Sequence, residues 1–472
     1  MTLKARIRAI DRFIKGCRED GIYDDLNACC VMAGWDSLAG ALTPLKGAAP
    51  SNNGFDNTDY DRGGIGITGD ETSYINSGFA TNQLTAQDDF HLAIFPTTEN
   101  SVATTTYHVI GSGGDVYLRD NVTNQAVRPN TTEAPSSSGR AQAGKILAGS
   151  LFGTTLSYRI NGVSQTTTGT AKAASGTTAS VFGTAGLYVN ESLAFYSFGS
   201  ATDLALLDAR VSTLMADLRA IEEAGFDRDA IAYIRAVEEA DGAYLETDVK
   251  VAVNNLVSGL KADGLWDAIG SSCLLCGPRT LAGALVPLRG DAPTAYGGWA
   301  SGDYDRATGL TGDPTVSLYL DSNRANDADS QDSKHIAFYA ADDAASGVGY
   351  MGSLTRSPTV VPTQLYSGTG VVRGYVNNGV ETTRSYSGGF AGTQRLDEST
   401  VETRADGVTL QASTTSSGGN SYNTFVFCRN DDGTPGAFAN STMAFYSIGS
   451  SLDLAKLDSH ITAYVTAIGA AI

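Results

Sequence analysis

Histidine is nearly absent from this chain, with four in 472 residues, beside three tryptophans, five methionines and six cysteines. Proton relays through imidazole, and zinc sites built from paired histidines, have little to draw on. Cationic charge is short as well. Lys and Arg total 32 against 51 Asp and Glu, a formal charge of −19. That balance works against binding a phosphate backbone, which needs Lys and Arg clustered on one face, so no nucleic-acid partner is expected. No run reaches the ~18 uninterrupted apolar residues of a membrane span. Met1–Ile10 carries basic residues but lacks the apolar centre of a secretory leader, so neither membrane insertion nor a signal peptide is expected.

Against these shortages stands one abundance: the chain is written twice. Leu-Ala-Gly-Ala-Leu at Leu38–Leu42 returns unchanged at Leu281–Leu285, an offset of 243. Asp-Tyr-Asp-Arg recurs at Asp59–Arg62 and Asp303–Arg306, and Ala-Phe-Tyr-Ser at Ala194–Ser197 and Ala444–Ser447, the last at an offset of 250. Solenoid units reach only about 50 residues, so each copy is a domain with its own core. Each copy also tests the other. A residue kept in one alone does not serve a chemistry both share.

That test bears on the cysteines first. Cys17 stands where the other copy has Leu260, and of the six only Cys30 and Cys273 correspond. Cys273 and Cys276 form a lone CxxC whose second position is Ala33 in the first copy. A zinc site needs a second pair. Buried free thiols are expected.

Each copy opens with an amphipathic helix, predicted over about 3–18 and 247–262 and ended by Asp-Gly. Ile10, Phe13, Ile14 and Cys17 match Val253, Leu256, Val257 and Leu260, one apolar stripe in one register. Because the stripe recurs mid-chain, the basic N-terminal helix reads as a domain element rather than a targeting sequence. Short strand-like runs follow, such as His91–Phe95 and His335–Tyr339, divided by Gly, Asn, Asp, Ser and Pro clusters. Asn161-Gly162 and Asp406-Gly407 are hairpin pairs. Each copy closes with a helix striped by Leu204, Leu207, Val211, Leu214 and Leu218, or by Leu454, Leu457, Ile461, Tyr464 and Ile468. A third, acidic helix is predicted over about 226–241 as a semi-rigid link. The expected organisation is a helix plus β-domain over 1–222, a helical linker over 223–246, and a second helix plus β-domain over 247–472. Many short strands bounded by helices describe a β-sandwich or jelly roll.

The runs Leu281–Thr294, Asp303–Asp313, Tyr319–Arg324 and Met443–Leu454 resemble laminin-G/concanavalin-A-like modules in structural proteins of tailed bacteriophages. The first copy follows the pattern more loosely, since Tyr74–Ser77 lacks the Asn-Arg pair. The resemblance covers about 400 residues. It implies a mainly β chain of two tandem concanavalin-A-like sandwiches, each flanked by short helices, on a virus particle in a tail-fibre, baseplate or capsid-decorating position. Other virion proteins are the implied partners and the virion the implied location; a homo-oligomer is expected, and the alternative reading is a carbohydrate-binding receptor module that meets a host-surface glycan.

Candidate site residues are few. Asp59, Asp61, Asp303 and Asp305 suit a glycan or calcium, or an Asp-rich turn pinned by the neighbouring Arg. Phe55 and Trp299, four residues before those tetrapeptides, suit stacking on a sugar or plugging the sandwich end. In the second copy alone, Asn323, Asn326, Asp327 and Asp329 have calcium-like composition without EF-hand spacing. No other cofactor is expected. Glu398 and Glu402 would share one face of a strand, as a glycosidase pair requires, but the first copy has no acid in the aligned stretch. His91 and His335 alone among the histidines correspond, and no triad-like set recurs. The expectation is a non-enzyme.

Overall fold

The computed structural model describes residues 3–84, 86–98, 108–112, 116–120, 124–138, 141–173, 176–184, 187–357 and 359–472. Internal contacts divide the chain into two units: Met1–Gly225 with Gly242–Thr247, and Phe226–Asp241 with Asp248–Ile472. Seven helices are described: α1 (Leu3–Glu19), α2 (Leu38–Ala41), α3 (Leu204–Glu222), α4 (Arg228–Asp241), α5 (Thr247–Ala262), α6 (Leu281–Ala284) and α7 (Leu454–Ala471).

The first unit is a sandwich of two antiparallel sheets. One runs in the order Val163–Thr168, Thr155–Ile160, Leu147–Phe152, Asp89–Pro96 and Ser192–Gly199, with Leu26–Val31 and Gly66–Thr68 both on the last strand. The other runs Ser136–Ser138, Asn124–Pro129, Val116–Asp120, His108–Gly111, Thr178–Val181, Tyr74–Ala80 and Ser51–Asn53. The second unit repeats both orders. Its first sheet runs Val408–Ser413, Thr400–Ala405, Gly389–Arg395, Lys334–Ala340, Thr442–Gly449 and Ile269–Leu274. Its second runs Thr382–Ser385, Val371–Val376, Val361–Gly368, Gly349–Thr355, Asn423–Val426, Tyr319–Ala325 and Thr294–Tyr296. After Phe427 the second unit adds a hairpin of Arg429–Asp431, parallel to Gly349–Thr355, with Thr434–Gly436, and after Phe182 the first has the shorter pair Gly183–Thr184 and Leu187–Tyr188. The chain is mainly β, two antiparallel β-sandwiches with attached helices.

Side-chain alternation sorts each central strand between two cores. In Asp89–Pro96, Leu92 and Ile94 point into the sandwich with Ile110, Leu118 and Val127. Ala93 and Phe95 point the other way, into a cluster with Phe13, Leu207 and Val211 from α1 and α3. A strand covered on both faces reads as a continuous apolar run, which is why this segment does not alternate. The two predicted hairpin pairs form, with φ of 52° and 79° at Asn161-Gly162 and 46° and 73° at Asp406-Gly407. Asp203 accepts from the amides of Ala205 and Leu206 at the start of α3, and Asp453 does the same at α7. Arg159 clamps Asp208 of α3 at 2.7 Å, and Arg404 clamps Asp458 of α7 at 2.8 Å.

The segment expected as a linker is divided instead. Ala230, Tyr233, Ile234 and Val237 of α4 are buried in the second unit, because that apolar stripe needs a packed partner. Lys250 of α5 meets Glu238 of α4 at 3.3 Å, and Lys261 meets Asp227 at 2.6 Å and also Asp229. Asp241 accepts from the amides of Arg279 and Thr280 and from the Thr280 hydroxyl. Gly242–Thr247 belongs to the first unit, where Tyr244 donates to the Thr97 carbonyl and stacks 4.0 Å from Arg219.

Leu457, on the inner face of α7, is completely buried. Leu457→Ala is expected to lower the stability of the second unit by about 2–5 kcal/mol, measured by urea unfolding. A loss below ~0.5 kcal/mol would mean the helix face is not packed.

Candidate functional site

The duplicated tetrapeptides hold loops in place. Asp59 accepts from the Asp56 amide at 2.8 Å and Asp303 from the Ala300 amide at 2.7 Å, each closing a single 3-10 turn. The Tyr60 hydroxyl donates to the Trp35 carbonyl, and the Tyr304 hydroxyl to that of Pro278. Asp61 accepts from the Gly63 amide and from both the amide and hydroxyl of Thr247. Asp305 accepts from the amides of Ala307 and Thr308 and from the Thr308 hydroxyl. Arg62 pairs with Glu222, and Arg306 donates to the carbonyls of Pro278 and Gly277.

The loop aromatics turn inward. Phe55 is 5% exposed and packs edge-on against Phe182, with 5.0 Å between ring centroids. A ring so covered cannot stack on a sugar, which corrects that candidate. Trp299 is half-buried 5.2 Å from Phe427, its indole N–H donating to the Tyr319 carbonyl. Phe182 and Phe427 hold φ of 71° and 68°, in a left-handed conformation rare for large side chains. Each is locked by the same bonds, its amide to Val109 or Tyr350 and its carbonyl to Val189 or Ala439. No sequence signal marks this pair except its recurrence.

The Asn/Asp loop of the second unit receives its positive charge from within the protein. Lys334 donates from its ammonium to the Asn326 side-chain oxygen at 2.9 Å and to the Asn326 carbonyl. Asp329 takes a two-pronged contact from Arg324 at 2.9 and 2.6 Å. Burial pulls Lys334 down to about 8, opposed by the nearby charges of Asp329 and Asp327. The calcium assignment for Asn326, Asp327 and Asp329 is corrected on this ground: an ammonium and a guanidinium already engage two of the three. Among the described residues, no group of three or more His, Cys, Asp and Glu is placed to hold a metal. The glycosidase spacing also fails, because the strand begins at Thr400 and leaves Glu398 in the preceding turn. Glu402 instead accepts from Gln394 at 2.5 Å and Gln411 at 3.0 Å.

Behind that loop lies a polar network matched only in part among the described residues of the first unit, where Asn130 donates to the Gln87 carbonyl as Asn377 does to the Gln331 carbonyl. Asn377 accepts from Asn326 at 3.1 Å and from Thr363 at 2.8 Å, and donates to the Gln331 carbonyl. Arg395, fully buried, donates to the carbonyls of Val376, Glu398 and Thr414. Lys334 and Arg395 are cross-strand partners, as are Phe90 and Leu151 in the first unit. The sequence did carry this signal, as two cations at positions that are apolar in the twin. In front of the network opens a cleft of about 780 Å³, with Asp327, Ser330, Gln331, Thr355, Asn420 and Tyr422 among its walls.

The corresponding histidines are buried pins. The N–H at Nδ1 of His91 donates to the Ser200 carbonyl, and that of His335 to the Ser450 carbonyl. A carbonyl only accepts, so Nε2 is the bare nitrogen and receives the hydroxyl of Ser197 (3.1 Å) or Ser447 (2.8 Å). The serine–imidazole pair is sealed from solvent and backed by a carbonyl rather than a carboxylate, so it is no nucleophile relay.

The chain matches no protein-family profile and no curated protein. Solved structures similar to it include the NanB sialidase of Streptococcus pneumoniae, at 13% identity and a TM-score of 0.22 over 27% of this chain. The alignment spans 24%, about a quarter, of that sialidase. Domain 4 of the arabinanase AbnA of Geobacillus stearothermophilus aligns at 15% identity and 0.28 over 40% of this chain and 98% of its own. Mouse laminin α1 domains LG4-5 align at 10% identity and 0.20 over 80% and 86%. With every TM-score below 0.5, no ligand or activity passes from these proteins to this chain.

Burial lowers both His91 and His335 to about 4, against about 6.5 in an unfolded chain. Between those values the unfolded chain binds protons that the folded chain refuses, so stability is full above about pH 6.5 and falls as pH drops towards 4. The expected loss is roughly 3 kcal/mol for each histidine. Urea unfolding at pH 7 and 4.5 checks it, and His335→Gln should reduce the pH dependence. An unchanged slope in the variant would sink the assignment.

Proposed function

We propose that this chain is a non-enzymatic structural component of a tailed-bacteriophage particle, in a tail-fibre, baseplate or capsid-decorating position. Its two sandwiches serve assembly and surface adhesion. The support is the use made of the best-matched polar residues of both copies. The tetrapeptides Asp59–Arg62 and Asp303–Arg306, the His91 and His335 pins and the Arg159 and Arg404 clamps all hold loops, strands and helices together. A framework so fully engaged suits rigid presentation rather than turnover. Mass spectrometry of purified particles tests this reading. Particles that are complete and infectious without the chain would overturn it.

A second reading, carbohydrate recognition, is favoured by the cleft of the second unit. Asp327 offers acceptors, Gln331 and Asn420 offer both donors and acceptors, Ser330 and Thr355 add hydroxyls, and Tyr422 supplies a ring. Neighbouring sugar hydroxyls both donate and accept, and a pyranose face is apolar enough to lie on an aromatic. The Lys334–Asn326–Asn377 network fixes the back of the cleft before any ligand arrives.

Binding to at least one neutral glycan on an array is expected, weakened about tenfold or more by Tyr422→Ala without a change in unfolding midpoint. Trp299→Ala should lower the unfolding midpoint through loss of the packed ring. An array on which nothing binds, or binding indifferent to Tyr422→Ala, removes the cleft as the receptor site.

A further inference from the structure

The duplication exposes a helix face in the first unit that is covered in the second. The register of α1 on α5 is fixed by contacts as well as by sequence. Gly16 lies against Arg210 of α3 as Gly259 lies against His460 of α7, and Asp20 pairs with Arg210 as Asp263 pairs with His460. Residue n of α1 therefore matches n + 243 of α5.

In the second unit, α4 lies along α5. Glu238 meets Lys250, the Asp227 amide donates to Asn254, and Asp227 and Asp229 hold Lys261. Under that cover, Lys250 and Val253 are each 1% exposed, and Val257 is fully buried. The matching residues of α1 are Ile7, Ile10 and Ile14. Ile7 is 54% exposed, Leu3 one turn earlier is 57% exposed, and Ile10 and Ile14 are only half-buried. The first unit thus carries an apolar stripe along the face that α4 occupies in its twin. Beyond the stripe, Lys15 and Arg18 stand where Ser258 and Lys261 stand. Arg18 lies over the Tyr23 ring at 4.7 Å, as Lys261 lies over the Trp266 ring at 5.3 Å while still holding Asp227 and Asp229.

We infer that the exposed face of α1 is a docking surface for an acidic amphipathic helix of a partner protein, seated as α4 is seated on α5. The occupant carries acids at its first turn for Arg18, and an apolar residue where α4 has Glu238, because Ile7 replaces Lys250. Charge favours this partner. α1 holds Lys4, Arg6, Arg8, Arg12, Lys15 and Arg18 against Asp11 and Glu19, a surplus of 6 − 2 = 4 positive charges in a chain of net −19. Arg6, Arg12 and Lys15 are paired with Asp36, Asp217 and Asp11, so the charge offered to an acidic partner rests on Lys4, Arg8 and Arg18.

The probe is a synthetic peptide of residues 226–242 carrying Glu238→Leu, titrated into the full chain by calorimetry. Saturable binding is expected, weakened at least about tenfold by Ile7→Glu, with the unfolding midpoint of that variant unchanged. Arg18→Glu is a second variant that leaves the apolar stripe intact, and it should weaken binding too. No binding at millimolar peptide, or binding indifferent to both variants, overturns the assignment. So does self-association in sedimentation that Ile7→Glu abolishes, which would give the face to a second copy. Flotation with phosphatidylserine-containing vesicles that Ile7→Glu abolishes would give it to lipid and overturn it equally.

Discussion

Both units depend on a sheet whose central strands have no solvent face. Asp89–Pro96 and Ser192–Gly199 in one unit, and Lys334–Ala340 and Thr442–Gly449 in the other, lie with the opposite sheet on one side and helices on the other. The consequences are steric and electrostatic. On the helix side the strands carry small residues such as Ala93, Ala148 and Ala194, so that α1 and α3 approach closely. Any polar group placed there must find its partner inside the protein, since an unmet buried donor or acceptor costs about 1–3 kcal/mol. His91 and His335 meet that demand in the same way, each spanning a backbone carbonyl and a serine hydroxyl on the neighbouring strand and turn.

Much of this architecture was legible because it is written in periodicity and repetition. The opening and closing helices announce themselves by stripes that recur in register, and the hairpins by Asn-Gly and Asp-Gly. What escaped was set by tertiary placement. Nothing local to 226–241 says which unit its apolar stripe will join. The calcium-like composition of 323–329 is real as chemistry, but its positive partners come from Arg324 within the loop and from Lys334 five residues past its end. Glu398 was assigned to a strand that starts two residues later, the ordinary uncertainty of element ends. Phe182 and Phe427 adopt a backbone conformation that composition disfavours, held by paired hydrogen bonds that only the folded sandwich provides.

The copies diverge where the framework does not need them to agree. At one cross-strand position the first unit has Phe90 and Leu151 and the second has Lys334 and Arg395. Elsewhere one polar group replaces another. Glu191 is fully buried in the first unit, where burial and then the adjacent Asp120 carboxyl push it far above the usual carboxylate range. Its counterpart by strand register in the second unit is Ser441, whose hydroxyl meets Asp342. The second sandwich holds cations where its twin has apolar residues, so those groups are not conditions of the fold.

That distinction bears on the cleft of the second unit. Burying an ammonium and a guanidinium is costly unless their donors are met, and replacing such groups by well-packed apolar residues is often neutral or stabilising. The first unit demonstrates the apolar solution with Phe90 and Leu151. The second unit keeps the costlier one, and keeps it directly behind the cleft. Arg395 spends its donors on backbone carbonyls that fix the turns at Val376 and Glu398, while Lys334 fixes the Asn326 turn. Because polar contacts are directional whereas apolar packing is not, this network constrains the positions of the loops in front of it more tightly than an apolar core would. The first unit, with apolar residues at the positions of Lys334 and Arg395, retains the same sandwich.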